Sequence, residues 1–343
     1  MRVLQVDSGR EWRGGQNQVR LLCRELAREP DVEQLLVTKR GCELALRAAR
    51  DGTRVAAVPW AIGLDPRAWW RLKRTTASFK PQIIHPHDSH ALTLAFVARG
   101  AGALVATRRV DFHIGRVSGW RAADRIIAIS EAVKAVLVAD GVPGTEISVV
   151  PSGIDPAEVR GAAATPLDIR RRLGLRPDTP LAVNVAALVD HKDQRTLVQA
   201  ARHARAQRPD LHWAVAGEGE LRGSLEAEIA RLELRDRVHL LGYVDAADAL
   251  IREADVFVMS SKEEGLGSVI LNALALEKPV VATAGGGIPE ILPAEALVPV
   301  GDAEGLARKV VAALDHPSLV PLPARFTAHA MAQGVLAAYR SLL

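Results

Sequence analysis

Residues 260–292 read SSKEEGLGSVILNALALEKPVVATAGGGIPEIL. The apolar run ADVFVMSS (254–261) leads in as a strand and ends in small polar residues. A helical apolar run follows, and then a second strand, KPVVATA (278–284), closed by Gly285, Gly286 and Gly287. Strand, helix and strand in this order form a parallel βαβ unit. The turn into its helix carries Glu263 and Glu264 before Gly265 and Gly267, and Asn272 lies within the helix. An acidic pair at a turn, facing a polar residue on the next helix, has the form of a ligand clamp.

The same alternation extends in both directions. MRVLQVD (1–7), QLLVTK (34–39), VAAVPW (55–60), PQIIHPH (81–87), ALVATRR (103–109), DRIIAIS (124–130) and ISVVPSGID (147–155) read as strands. Between several of them lie helical patterns, as in 17–30, where Val19, Leu22, Cys23 and Leu26 share one stripe. The breaker-rich stretch PAEVRGAAATP (156–166) reads as an interdomain link. The pattern then restarts with PLAVNVAAL and runs through LHWAVAGEG and RVHLLGYV to the quoted stretch. These observations predict an α/β chain of two Rossmann-like, doubly wound domains, 1–160 and 161–325. A last helical pattern, 326–343, is expected to pack back on the first domain.

Length supports two domains: 343 residues exceed one ordinary core. The chain is 48% hydrophobic and 24% charged, as in soluble globular proteins. No run approaches the ~18 apolar residues of a spanning helix, and the N-terminus lacks a secretory pattern. Cys23 and Cys42 have no metal or redox spacing, which suits a reducing cytoplasm. A net charge of +4 and only 4% aromatic residues argue against nucleic-acid binding.

Ligands of open α/β sheets bind beyond the carboxyl ends of the strands. Gly14 and Gly15 follow the first strand and precede a helix, where backbone N–H groups can meet an anion. Gly217, Glu218 and Gly219 follow another strand, and Lys192 lies in a strand-to-helix loop within reach of a diphosphate. No GxxxxGK[ST] or GxGxxG is placed to make a nucleotide-hydrolysing or dinucleotide redox fold.

Several motifs in the correct order, strongest in the second half, resemble the retaining glycosyltransferases of family 4, which have the GT-B fold. They are RGGQ (13–16), AISEAVKAVL (128–137), VVPSGID (149–155), HKDQRTLVQAA (191–201), AGEGELR (216–222), LLGYVDAADALIREADVFVMSS (240–261) and the opening stretch. The resemblance implies two domains facing across a cleft, a nucleoside-diphosphate sugar as donor with UDP favoured, and no metal cofactor. It places the first Glu of the family's Glu-x7-Glu pair, near the donor sugar, on Glu264. The second, at the ribose, falls on Asn272, an amide. The family's diphosphate-binding Lys falls on Lys192, but its Arg falls on Ala187. The missing positive charge is then expected from the N–H groups of Gly14 and Gly15 and from the helix start after Leu266, at Gly267 and Ser268. Tyr243 and Val244 are expected near the base. A carboxylate at 272 is expected to hold the donor more tightly than the amide.

The first half is expected to hold the acceptor, a glycan or lipid-linked molecule. His85, His87 and Asp88 cluster after a strand, and Arg108 and Arg109 follow another, ahead of Asp111 and His113. The His cluster lacks a second ligand group suited to metal. The segment at 106–115 resembles the family's loop with an active-site His or Asp, which falls on Asp111 or on His113. Residues 66–80, PRAWWRLKRTTASFK, combine two Trp with five cationic residues and suit either an ordinary helix with one Trp buried or the inner face of an anionic membrane. The expected reaction is retaining transfer of a sugar to an acceptor hydroxyl in cell-envelope polysaccharide or lipopolysaccharide synthesis, at a cytoplasmic location. The alternatives are a GT-B nucleotide-sugar epimerase and a catalytically silent homologue.

Overall fold

The computed structural model describes residues 1–61, 65–115 and 119–343. They form two compact units, 1–154 with 324–343 and 155–323.

The N-terminal unit runs β1 (Arg2–Asp7), α1 (Gly14–Leu26), β2 (Glu33–Lys39), α2 (Glu43–Arg50), β3 (Val55–Val58), α3 (Pro66–Phe79), β4 (Ile83–Pro86), α4 (Ser89–Ala98), β5 (Ala103–Arg108), β6 (Arg125–Ala128), α5 (Glu131–Ala139) and β7 (Ile147–Val149). Its seven strands are parallel in the order β3-β2-β1-β4-β5-β6-β7. The order reverses between β1 and β4, so their carboxyl ends open a crevice.

The C-terminal unit runs α6 (Pro156–Ala162), α7 (Ile169–Arg172), β8 (Leu181–Val185), α8 (Gln194–Ala204), β9 (His212–Ala216), α9 (Arg222–Arg231), β10 (Val238–Gly242), α10 (Ala247–Arg252), β11 (Val256–Met259), α11 (Ser268–Ala275), β12 (Val280–Thr283), β13 (Leu297–Val298) and α12 (Ala303–Asp315). Its six parallel strands are ordered β10-β9-β8-β11-β12-β13, with the switch point between β8 and β11. Here the chain returns to the N-terminal unit as α13 (Ala328–Arg340).

Burial explains the sequence pattern. β8, β9 and β11 are covered on both faces, so they read as continuous apolar runs rather than alternating ones. Leu197, Val198, Ala201 and Ala204 of α8 pack with Leu306 and Val310 of α12 in a core that includes Trp213. Each fully buried Leu or Val there contributes roughly 1.5–3 kcal/mol of transfer free energy. In the N-terminal unit, α13 places Met331, Val335, Leu336 and Tyr339 in one core with Leu21, Leu22 and Leu26 of α1.

The stretch read as a link is partly helical. Asp155 accepts hydrogen bonds from Ala157 N and Glu158 N, Pro156 opens the first turn, and Val159 is buried. A carboxylate N-cap with Pro at the first helical position is a helix start. The glycine and alanines that follow obscured that signal.

Candidate functional site

In the C-terminal unit, the loops after β8, β11 and β12 are bound to one another. Lys262 N donates to the His191 carbonyl at 2.9 Å, and Ser260 Oγ to the Lys192 carbonyl at 3.1 Å. Thr283 Oγ1 donates to the Ser261 carbonyl at 2.6 Å, and Gly287 N to the Glu264 carbonyl at 2.8 Å. A methyl group on Gly285 would sit 2.3 Å from the Ser261 oxygen, so this close approach requires glycine.

That frame brings Lys192 and Glu264 together at the switch point. Lys192 Nζ lies 2.5 Å from Glu264 Oε1, with side-chain exposures of 19% and 10%. Ser261 Oγ donates to the same oxygen at 3.2 Å. Withdrawing both charges from water offsets most of their attraction, so the pair is weak evidence for stability. A cation and a carboxylate held at the mouth of a parallel sheet suit a polar ligand with an anionic part. Of the opening acidic pair, Glu264 is buried and Glu263 is exposed, so the clamp has one carboxylate arm at this turn.

Asn272 faces another carboxylate. Its Nδ2 donates to Asp248 Oδ1, on α10, at 2.6 Å. Burial raises the Asp248 carboxyl above its usual range, and the nearby Glu158 adds to this. Asp248 escaped the sequence reading because nothing in its spacing links it to Asn272. Ala187 is exposed, and its backbone carbonyl accepts from Gln194.

The glycines separate by what surrounds them. At Gly217, φ is +149° and a Cβ would lie 1.9 Å from the Ala186 carbonyl oxygen, so packing of the β8 and β9 loops accounts for it. A Cβ on Gly14 would meet nothing within 4 Å. The first turn of α1 also lacks an acidic residue and a side-chain cap, which leaves its N–H groups open. Gly267, at φ +84°, caps α11 ahead of Ser268, with Leu266 buried beneath. Glu218 and Tyr243 are exposed at the ends of β9 and β10, and Val244 is half-buried.

In the N-terminal unit, the His85 ring nitrogens meet Tyr339 Oη at 2.5 Å and Thr107 Oγ1 at 2.6 Å. His87 Nε2 meets Gln5 Oε1 at 2.8 Å. Burial lowers the His85 pKa to about 3 and holds that of His87 well below its usual value. Both rings are therefore neutral parts of a buried network. Asp88 caps α4 and binds the backbone and hydroxyl of Ser8, which closes the loop after β1. Asp7 lies beneath that loop, its carboxyl raised by burial and by Asp88 to about 6.

Arg108 Nη2 donates to the Phe112 carbonyl and its guanidinium stacks on Trp120. Arg109 Nε has no partner among the described residues, and burial lowers its pKa to about 10. His113 is fastened to Asp140 at 2.7 Å, while Asp111 is half-buried near Arg108. On α3, which has no acidic residue, Arg71 and Arg74 flank the exposed Trp70 ring. No helix among the described residues is long and apolar enough to cross a membrane.

Comparison with known proteins agrees with this architecture. Residues 12–158 match the model of Glycosyltransferase Family 4, and residues 167–332 that of Glycosyl transferases group 1. The chain is 28% identical to the putative glycosyltransferase EpsD of Bacillus subtilis, over 73% of this chain and 71% of that one. It is 34% identical to the lipopolysaccharide core biosynthesis glycosyltransferase LpsE of Rhizobium meliloti over a shorter match, 41% of each chain. The crystal structure of Anabaena Alr3699/HepE in complex with UDP superposes with a TM-score of 0.80 at 19% identity, covering 99% of this chain and 100% of that one. Two Rossmann-like sheets and a family match over each place this chain among the family 4, group 1 glycosyltransferases, enzymes of the GT-B fold.

Proposed function

We propose that this enzyme transfers a sugar from a nucleoside-diphosphate donor, UDP-linked by preference, to an acceptor hydroxyl with retained anomeric configuration. The observation that carries this reading is the Lys192–Glu264 pair, fixed at the β8/β11 switch point. Lys192 stabilises negative charge on the departing diphosphate, assisted by the α11 start. Glu264 accepts hydrogen bonds from the sugar hydroxyls and leaves Lys192 when the donor arrives. The bond to the diphosphate breaks ahead of acceptor attack, and a leaving-group oxygen takes the acceptor proton. Asp111, close to the Arg108 charge, is the carboxylate read as acting on the acceptor side. The chemistry is read as metal-independent.

The HepE complex supports a uridine nucleotide, and the name of LpsE supports a lipopolysaccharide-type cell-envelope glycan as the product. The acceptor is read as glycan or lipid-linked. The acid-free basic face of α3 with exposed Trp70 supports peripheral contact with an anionic membrane. Loss of vesicle binding at high salt tests that contact. A thermal-shift screen of UDP-, GDP- and ADP-sugars tests the donor, because a ligand of the folded state raises its melting temperature. A shift by none of them refutes the reading. A second reading, a nucleotide-sugar-binding homologue without transfer, is favoured by Ala187, which leaves the phosphate site one cation short of the family pattern. Donor binding without transfer to any acceptor supports it.

A further inference from the structure

Two histidines near the amino-terminal ends of strands in the C-terminal sheet are joined by one hydrogen. His212 opens β9, and His239 lies on β10 opposite Ala214, so both rings stand on one face of the sheet. His212 Nδ1 and His239 Nε2 are 3.0 Å apart, and the rings are parallel to within 2°. Their centroids are 5.3 Å apart, the reach of two rings joined end to end through that contact, so the bond is nearly straight and lies in the plane of both. The other nitrogen of His212, Nε2, meets Arg237 Nη1 at 3.3 Å. Arg237 is itself held by the Pro209 carbonyl at 2.8 Å and the Asp236 carboxylate at 3.2 Å.

These contacts fix the hydrogens. A guanidinium only donates, so His212 Nε2 accepts. A neutral His212 then carries its hydrogen on Nδ1 and donates it to His239 Nε2, which leaves the His239 hydrogen on Nδ1. Each of the two gaps, Arg237 to His212 and His212 to His239, holds one hydrogen. A further proton on either ring puts two donors face to face in one of the gaps. The carboxylates that favour a charged ring are Asp236, which already faces Arg237, and Asp210, which is bound by Arg208 together with Asp315. Burial, then Arg237 and His239, outweigh them and lower the His212 pKa to about 4; burial also lowers that of His239.

β10 is the strand at stake. It is the edge of its sheet, paired only to β9, and its register shifts between Leu240 and Gly242. A strand with a ladder on one side opens more readily than a central one. It leads directly into Tyr243 and Val244.

We propose that Arg237, His212 and His239 form an acid-sensitive clasp on β10, closed while both rings are neutral and opened by the uptake of one proton, which loosens the strand from β9. The open clasp returns His212 toward its ordinary value of 6.5, so the open state binds more protons and gains population as pH falls from about 6.5 toward 4. The inference does not depend on the donor reading.

Amide hydrogen exchange of the full chain at pH 8 and pH 5, corrected for intrinsic rates, tests it, with peptides from 238–244 compared with those of β11 and β12. Protection of β10 is expected to fall by about thirtyfold relative to β11 and β12, the ratio set by an open His212 at 6.5 and a closed one at about 4. Arg237→Met removes the donor opposite Nε2 and lets that nitrogen take the proton, so the difference between the two pH values shrinks even where protection at pH 8 is lower. A purely structural Arg237 would leave that difference unchanged. The double variant His212→Asn with His239→Gln has no titrating ring and loses the difference. In the unaltered chain, β10 protection that is independent of pH, or a fall shared equally by β11 and β12, overturns the clasp. An undiminished fall in the double variant overturns it as well.

Discussion

Exchanging Asn272 for Asp alters two atoms and reverses the sign of a contact. In the parent, the amide donates to Asp248 at 2.6 Å. In the variant, two carboxylates face each other with charge centres about 4 Å apart, and at an effective dielectric of about 20 they repel by roughly 4 kcal/mol. Partial exposure of both side chains screens this to about 2–3 kcal/mol. Sharing one proton avoids the repulsion, at about 1.4 kcal/mol for each pH unit above the ordinary carboxyl pKa. The folded pair thus binds more protons than the unfolded chain, and stability falls as pH rises. Asn272→Asp is expected to be less stable than the parent by about 2–3 kcal/mol at pH 8 and by about 1 kcal/mol at pH 5. Hydrogen exchange of peptides from α10 and α11, in urea at both pH values, reads the C-terminal unit directly. A loss independent of pH, or none at pH 8, would refute the reasoning. Asn272→Glu follows the same sign. The expectation from sequence, that a carboxylate at 272 strengthens donor binding, is a separate quantity, read by donor calorimetry on Asn272→Glu beside this stability cost.

Lys192→Met removes the cation and keeps the stem; transfer kcat/KM should fall by about 10²–10³, and a loss under about fivefold excludes Lys192 from leaving-group stabilisation. The Asp7 carboxyl is raised from 3.8 to about 6, so its contribution to stability is lost as pH rises through that interval. Asp7→Asn should therefore gain on the parent by up to about 3 kcal/mol at pH 8 and by little at pH 4, measured as urea midpoints. Transfer activity should survive exhaustive chelation, and restoration by added Mg²⁺ or Mn²⁺ would contradict the metal-independent reading.

The fold was legible because both sheets are parallel and covered on each face. Their strands are unbroken apolar runs separated by helical periods, and few other patterns look like that. The site was legible in its residue types but not in its pairings. Lys192 and Glu264 lie far apart in the chain and meet because β8 and β11 are neighbours in the sheet. Asp248 was invisible, since an acidic residue in the first turn of a helix is common. Glycines were ambiguous as letters: Gly217 accommodates the Ala186 carbonyl, whereas Gly14 faces open space. The His85 cluster drew attention as acceptor chemistry, yet its ring nitrogens face Tyr339 and Thr107, and α13, which bears Tyr339, lies at the far end of the chain.

That last contact has a consequence for how the protein is made. The N-terminal unit is discontinuous: its core is completed by α13, after all of residues 155–323 has been synthesised. A nascent chain that has emerged only to residue 154 carries Gln5 and His85 without Tyr339, and an apolar face of α1 without its cover. The second unit is contiguous and can mature first, so folding order runs against the order of translation. Fragment 1–154 is therefore expected to be a poor expression target, whereas residues 155–323 contain every side chain of their own core. A permuted chain that begins at α13 and continues into β1 would restore locality to the first unit and free its folding from the second.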